Sequence, residues 1–272
     1  MKYKDPLMMK LLSQSDLDAS DNITSNEKLY EIHIGMTLLF LLLANVTARK
    51  LIPICGGYDF ALSGIFFGLS YLPLLLISDV YGHKKCARVV VIALVTQLTF
   101  LLILWISSNL GTTTPIKGEY TSSTYFSLYF GDYGKVIIGS MLAVALSYYF
   151  FAIITSWSKI KFCSYSLPIR FFISVGVSKL ILVFVAYPIN LYGEYSSLIG
   201  ILKICIITWL IKMMIALVIV IISAYISPII RKIERKSTYD IGVKYGLRYI
   251  YSLKNGGVNL YDTENKIKNK KA

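Results

Sequence analysis

Val89–Ser107 reads VVVIALVTQLTFLLILWIS and contains no Lys, Arg, Asp or Glu. A helix of about 20 mostly apolar residues crosses the hydrocarbon core of a bilayer, so this stretch is long enough to span. The charge-free run extends to residue 116, and two more of the same kind occupy residues 60–78 and 136–158. In lipid every backbone N–H and C=O must be paired internally, which a helix does within its own segment. The composition agrees: of 272 residues 56% are hydrophobic and 16% charged, against about 25% charged in a soluble domain. Such a chain lacks the polar residues to cover a soluble enzyme, which excludes that class.

Working outward, the apolar runs predict an all-α membrane protein of six transmembrane helices. They are expected over about 32–52, 60–78, 89–107, 135–155, 167–189 and 200–227, the last stopped by Pro228. Residues 1–28 read as a polar segment without the apolar core of a signal peptide. Residues 29–230 then form the helical domain, and residues 231–272 a basic tail. Ser108–Gly134, with six aromatics from Tyr120 to Tyr133, reads as an exposed or interfacial loop that could fold back as a lid.

The net charge of +13 raises nucleic-acid binding, but the positions of the cations argue against it. With the N-terminus inside, the segments expected in the cytoplasm hold 20 Lys and Arg and the outer loops hold 3. That bias predicts an N-in, C-in arrangement. The two three-helix halves, each crossing an odd number of times, would then be inverted. The tail, with 11 of the 28 cations, reads as a patch for anionic lipid. On that reading, deleting Lys254–Ala272 leaves uptake intact. Cys55, Cys86, Cys163 and Cys205 share no metal-ligand spacing, and His33 and His83 stand far apart, so neither a metal nor a cofactor is expected.

The chemistry is expected at the polar residues inside apolar frames. A charge at membrane depth costs about 2.5–3.5 kcal/mol and needs a partner, a wet cavity or an escape to the interface. Lys203 and Arg170 lie near helix ends and can snorkel; Lys179 and Lys212 lie near helix middles. Asp79 is the acid tied most closely to an apolar run, and residues 134–192 and 196–232 contain none. The lysines therefore either pair with Asp79 or meet a ligand, sharing one polar cavity with that acid. Asn45, Ser140, Ser174 and Ser178 add small polar groups, although serines in membrane helices commonly bond their own backbone. Gly64, Gly68 and Pro73 permit close approach or a break in the second helix. No HExxH, GxSxG, Walker A or paired-carboxylate pattern is present, so catalysis has no foothold.

Several of these residues fall into strings that resemble the queuosine precursor transporters, also called the vitamin uptake transporter family. Ala44-Asn45-x4-Lys50 closes the first helix, and Asp79-Val80-Tyr81-Gly82, running on to Ala87-Arg88, is similar to the family's acidic Tyr-Gly junction. Phe130-Gly131-x3-Lys135-x4-Ser140 is similar to its entry to the fourth helix. Arg170-x3-Ser174-x3-Ser178 is similar to a fifth-helix motif, and Lys212 falls where a sixth-helix Lys is common. The resemblance covers about 42–226. It implies a six-helix transporter of the bacterial inner membrane that imports 7-deazaguanine precursors of a tRNA base. The implied substrate site comprises Asn45, Lys50, Asp79, Lys135, Ser140, Arg170, Ser174, Lys179 and Lys212, with Asp79 accepting from ring N–H groups.

The chain departs from the family where an acid, a Gln and an Asp are common, carrying Leu75, Tyr148 and Phe151 instead. The fifth helix also lacks the family's Asp-Thr. The expected partners are a small-molecule substrate and anionic lipid, and a homo-oligomer is compatible with them. Two other classes remain open at this point. One is the substrate-capture subunit of a larger importer, which would co-purify with an ATPase. The other is a structural membrane protein working through its tail, in which the interior lysines would be dispensable.

Overall fold

Each of the six apolar runs is a helix in the computed structural model, which describes residues 27–48, 50–54, 58–110, 122–131, 133–162, 165–191, 198–241, 243, 245 and 258–261. Helix α1 spans Lys28–Val46, α2 Ser63–Tyr81 and α3 His83–Asn109. A short α4 covers Ser122–Phe130. Then come α5 at Tyr133–Lys161, α6 at Leu167–Leu191 and α7 at Leu198–Glu234. All but α4 are long and apolar enough to cross a membrane, making this an all-α membrane protein. Most of the N-terminal segment, Arg49, Lys117 and much of the tail lie outside the described residues.

Helix α2 is the centre. Every residue from Pro73 to Tyr81 is buried, because α2 packs on α1, α3, α5 and α7 together. Gly68 makes one of these approaches close: a Cβ there would lie 3.0 Å from Ile215 Cγ2 on α7. The outer helices turn apolar side chains to lipid, as Leu210, Met214, Leu217, Val218 and Ile221 do on α7. The inward stripe of the same helix includes Lys212, Ala216, Ser223 and Ser227. Small and polar residues inside, bulky apolar ones outside, is the order expected when lipid is as apolar as a core.

Four local expectations are sharpened or corrected. The first helix ends at Val46, and Leu51–Ile54 (β1) pairs antiparallel with Tyr58–Ala61 (β2), Leu51 opposite Ala61. The loop after α3 contains α4, which folds back on the bundle: Tyr129 donates to the Val46 carbonyl at 2.9 Å, and Phe130 packs with Leu101. Helix α3 starts at His83, so Lys84, Lys85 and Arg88 belong to its first turns.

The fourth correction is that α7 does not stop at Pro228. Proline removes one N–H and kinks a helix, but neighbouring helices let a membrane helix tolerate it. The turns beyond it stay helical because they are held: Ile230 and Glu234 are buried, and a Glu234 oxygen accepts from the Leu29 N–H at 2.9 Å. The tail then folds onto this end of the bundle. Thr238–Tyr239 (β3) pairs with Val258–Asn259 (β4), and Ser237 to Asp240 are buried.

Candidate functional site

Polar side chains collect at two levels, separated by an aromatic layer. The first level lies toward the end that carries the β1–β2 hairpin. Asn45 at the end of α1 and Ala48 just after it, Ser63 and Phe67 of α2, Ser140 of α5, Tyr187 and Asn190 of α6, and Lys212 of α7 line a cavity of about 190 Å³. A cavity of about 150 Å³ holds a benzene ring, so this one has room for a molecule of about that size. Lys212 is 7% exposed, and its ammonium lies 5.2 Å from the centre of the Tyr187 ring. Asn45 is set from behind by Gln97 of α3, whose amide donates to the Asn45 carbonyl at 3.2 Å.

Lys179 sits just beneath. It is 1% exposed and donates to the backbone carbonyl of Lys212 at 3.1 Å, with the Tyr71 ring centre 5.8 Å away. Gly68 provides its room: a Cβ there would stand 3.5 Å from Lys179 Nζ.

The middle layer is aromatic. The Tyr71 ring stands edge-on to Tyr148 and Phe151, each with centres 5.2 Å from it. Hydroxyls tie the layer across helices, with Tyr71 Oη 2.6 Å from Ser147 Oγ and 2.9 Å from Ser178 Oγ, and Tyr148 Oη 2.5 Å from Ser70 Oγ. Leu75 lies next to it in the core. The positions where the resemblance expects polar groups thus hold packed apolar ones.

The second polar level is at the tail end. Asp79, 2% exposed, accepts from Arg231 at both oxygens: from Nη2 at Oδ1 (2.5 Å) and Oδ2 (2.6 Å), and from Nε at Oδ2 (2.9 Å). The Ser227 hydroxyl donates to the same carboxylate. Lys159 of α5 lies 3.7 Å from Asp79 Oδ1 and donates to the Asp79 and Thr238 carbonyls at 2.5 and 2.9 Å. Forked Arg–carboxylate pairing is the strong form of an ion pair. It joins α2, α5, α7 and the tail.

The Tyr-Gly junction has its physical reason here. Gly82 turns the chain between α2 and α3 at φ +84°, and a Cβ there would meet Thr238 Cγ2 at 2.8 Å. Asp240 caps the start of α3, accepting from the His83 N–H at 2.9 Å and from Ser156 Oγ at 2.7 Å.

The expectation that Asp79 shares a cavity with Lys179 and Lys212 is therefore overturned. Arg231 is 19 residues along α7 from Lys212, about 28 Å at 1.5 Å per residue, too far for one small ligand. Of the other expected residues, Asn45, Ser140 and Lys212 come together in the cavity, and Lys179 adjoins it. Arg170, 8% exposed, lies at the tail end of α6. Ser174 bonds the Arg170 carbonyl of its own helix at 2.9 Å. Lys50 is exposed beyond α1, and Lys135 falls in α5 with its side chain outside the described residues.

Sequence reading missed Tyr187 and Asn190, whose i, i+3 spacing late in α6 was the available signal. It also missed Gln97, hidden in a charge-free apolar run, and the Asp79–Arg231 pair.

No curated protein and no solved structure matches the chain significantly. A family model described as "putative vitamin uptake transporter" matches residues 61–226, more than half of the chain. That span starts at the hairpin, takes in most of the cavity and the whole aromatic layer, and ends one residue before Ser227. The six spans and this match place the chain in the vitamin uptake transporter family.

Proposed function

We propose that the protein imports a small planar heterocycle across the bacterial inner membrane, with a queuosine precursor of the 7-deazaguanine type as first candidate. The observation that carries this reading is the cavity of about 190 Å³ faced by Asn45, Ser140 and Lys212 from three different helices. A few fixed polar groups in a largely apolar pocket are what orient a small ligand. Family membership supports uptake as the activity. The deazaguanine candidate is supported by the motifs that contain Asn45, Ser140 and Lys212. On this reading the chain moves its substrate without altering it.

The test is uptake of labelled 7-deazaguanines into cells that lack both their synthesis and their own transporter. The parental protein restores uptake. Lys212→Met keeps the apolar stem and loses the charge, so uptake falls about tenfold or more at equal membrane abundance. Parental uptake by Lys212→Met at parental abundance overturns the site.

A further inference from the structure

Two lysine side chains are buried in the hairpin half of the bundle, and among the described residues no carboxylate there matches them. Lys212 and Lys179 are 93% and 99% buried by their exposures of 7% and 1%. Among the described residues, no carboxylate lies within ion-pair distance of either. Their neighbours are the Tyr187 and Tyr71 ring faces and the Lys212 carbonyl, which attract a cation but do not neutralise it. Asp79 cannot serve, because Arg231 and Lys159 hold it at the far end. The other polar groups lining the cavity, Asn45, Ser63, Ser140 and Asn190, are neutral. A buried charge is stable only when paired, and among the described residues neither lysine has a carboxylate partner, which leaves that role to a ligand.

We propose that the cavity is an anion site: it selects a planar ring bearing a carboxylate, with Lys212 as the contact cation. Lys179 supports it from behind, holding the Lys212 carbonyl and adding a second positive charge. This deepens the uptake reading and rests on it. It changes the expected order of substrates, because a ring with a cationic arm is repelled and a neutral one gains nothing from the lysines. The aromatic layer of Tyr71, Tyr148 and Phe151 closes the space on the side toward Asp79, so the ring and its carboxylate must both fit above it.

The test uses the full chain in lipid nanodiscs and direct binding by calorimetry. Three 7-deazaguanines differ only at position 7, carrying a carboxylate, a nitrile or an aminomethyl group, and nicotinate with nicotinamide form a second matched pair. Carboxylates are expected to bind at least about tenfold more tightly than their neutral partners. The preference disappears in Lys212→Met, weakens in Lys179→Met and survives in Lys212→Arg, which keeps the charge and controls for folding. Equal binding of the three deazaguanines overturns the anion site and leaves the uptake reading standing. Preference for nicotinate with no deazaguanine bound overturns the deazaguanine reading and supports the anion site. Failure of the carboxylates to bind in both series, or a preference unchanged in Lys212→Met, overturns the proposal.

Discussion

Asp79 shows how one side chain changes meaning between sequence and structure. As a lone acid at the end of an apolar run it reads as a ligand acceptor. Folded, it is the anchor of a buried ion cluster with Arg231, Lys159 and Ser227. Breaking a buried pair by removing one partner leaves an uncompensated charge and costs about 3–5 kcal/mol. Asp79→Asn should therefore lower the thermal unfolding midpoint in detergent markedly. The double variant with Arg231→Met should lose less than the sum of the two single losses, since both break one interaction. An additive result would show that the pair does not stabilise the fold. Lys179→Met is the converse case: it removes a buried cation without an anion, so the midpoint should hold or rise.

At the scale of elements, the tail emerges as part of the bundle. Asp240 caps α3 from 157 positions away, and Glu234 at the end of α7 caps the start of α1. Losing a cap costs about 0.5–2 kcal/mol, so Asp240→Ala should lower the unfolding midpoint while membrane insertion is retained. Deleting Lys254–Ala272 removes β4 and the buried Leu260 and uncovers Ser237–Asp240. A lipid strap could be cut without harm, but this truncation should reduce stability and membrane abundance. Unchanged stability would return the tail to the role of a strap.

Glu27, just before α1, bridges Lys85 of α3 and Lys236 of the tail. Burial acts to raise its pKa, but the hydrogen bonds and charges of the two lysines outweigh that and hold it below the usual value. A lowered folded pKa means the bridge contributes above the ordinary carboxylate range. Its contribution is lost as pH falls through the lowered value. Glu27→Gln should therefore narrow the stability difference between neutral and acid pH.

For the whole molecule, the helices stack three levels along the membrane normal: a cationic cavity, an aromatic layer and an ion cluster that also holds the tail. On the orientation that the 20-to-3 cation bias predicts, the tail end faces the cytoplasm and the cavity level faces the outside. Reporter fusions at Lys85, Lys161 and Ala272 should then read cytoplasmic, and one near Thr121 external. A cytoplasmic Thr121 would remove the N-in, C-in orientation and with it the direction assigned to the cavity.

The existence and number of the spans were legible in the sequence, because crossing a bilayer as a helix takes about 20 predominantly apolar residues in a row, and six such runs stand out. The residues of the cavity were partly legible for a related reason: Asn45, Ser140 and Lys212 are costly in an apolar frame and mark themselves. What could not be read was how the helices are turned and paired. The inward stripe of α7 mixes small and polar residues with apolar ones such as Ile219 and Val220, and its outward face is apolar throughout, so apolar periodicity by itself does not say which face is inside. Gln97 behind Asn45, Tyr148 against Tyr71, and Asp79 on Arg231 rather than on a lysine of the cavity are decided by which helix faces which, across 52, 77 and 152 positions of chain. Composition determines that these helices enter the membrane, whereas only their packing determines which buried charges find a partner inside the protein.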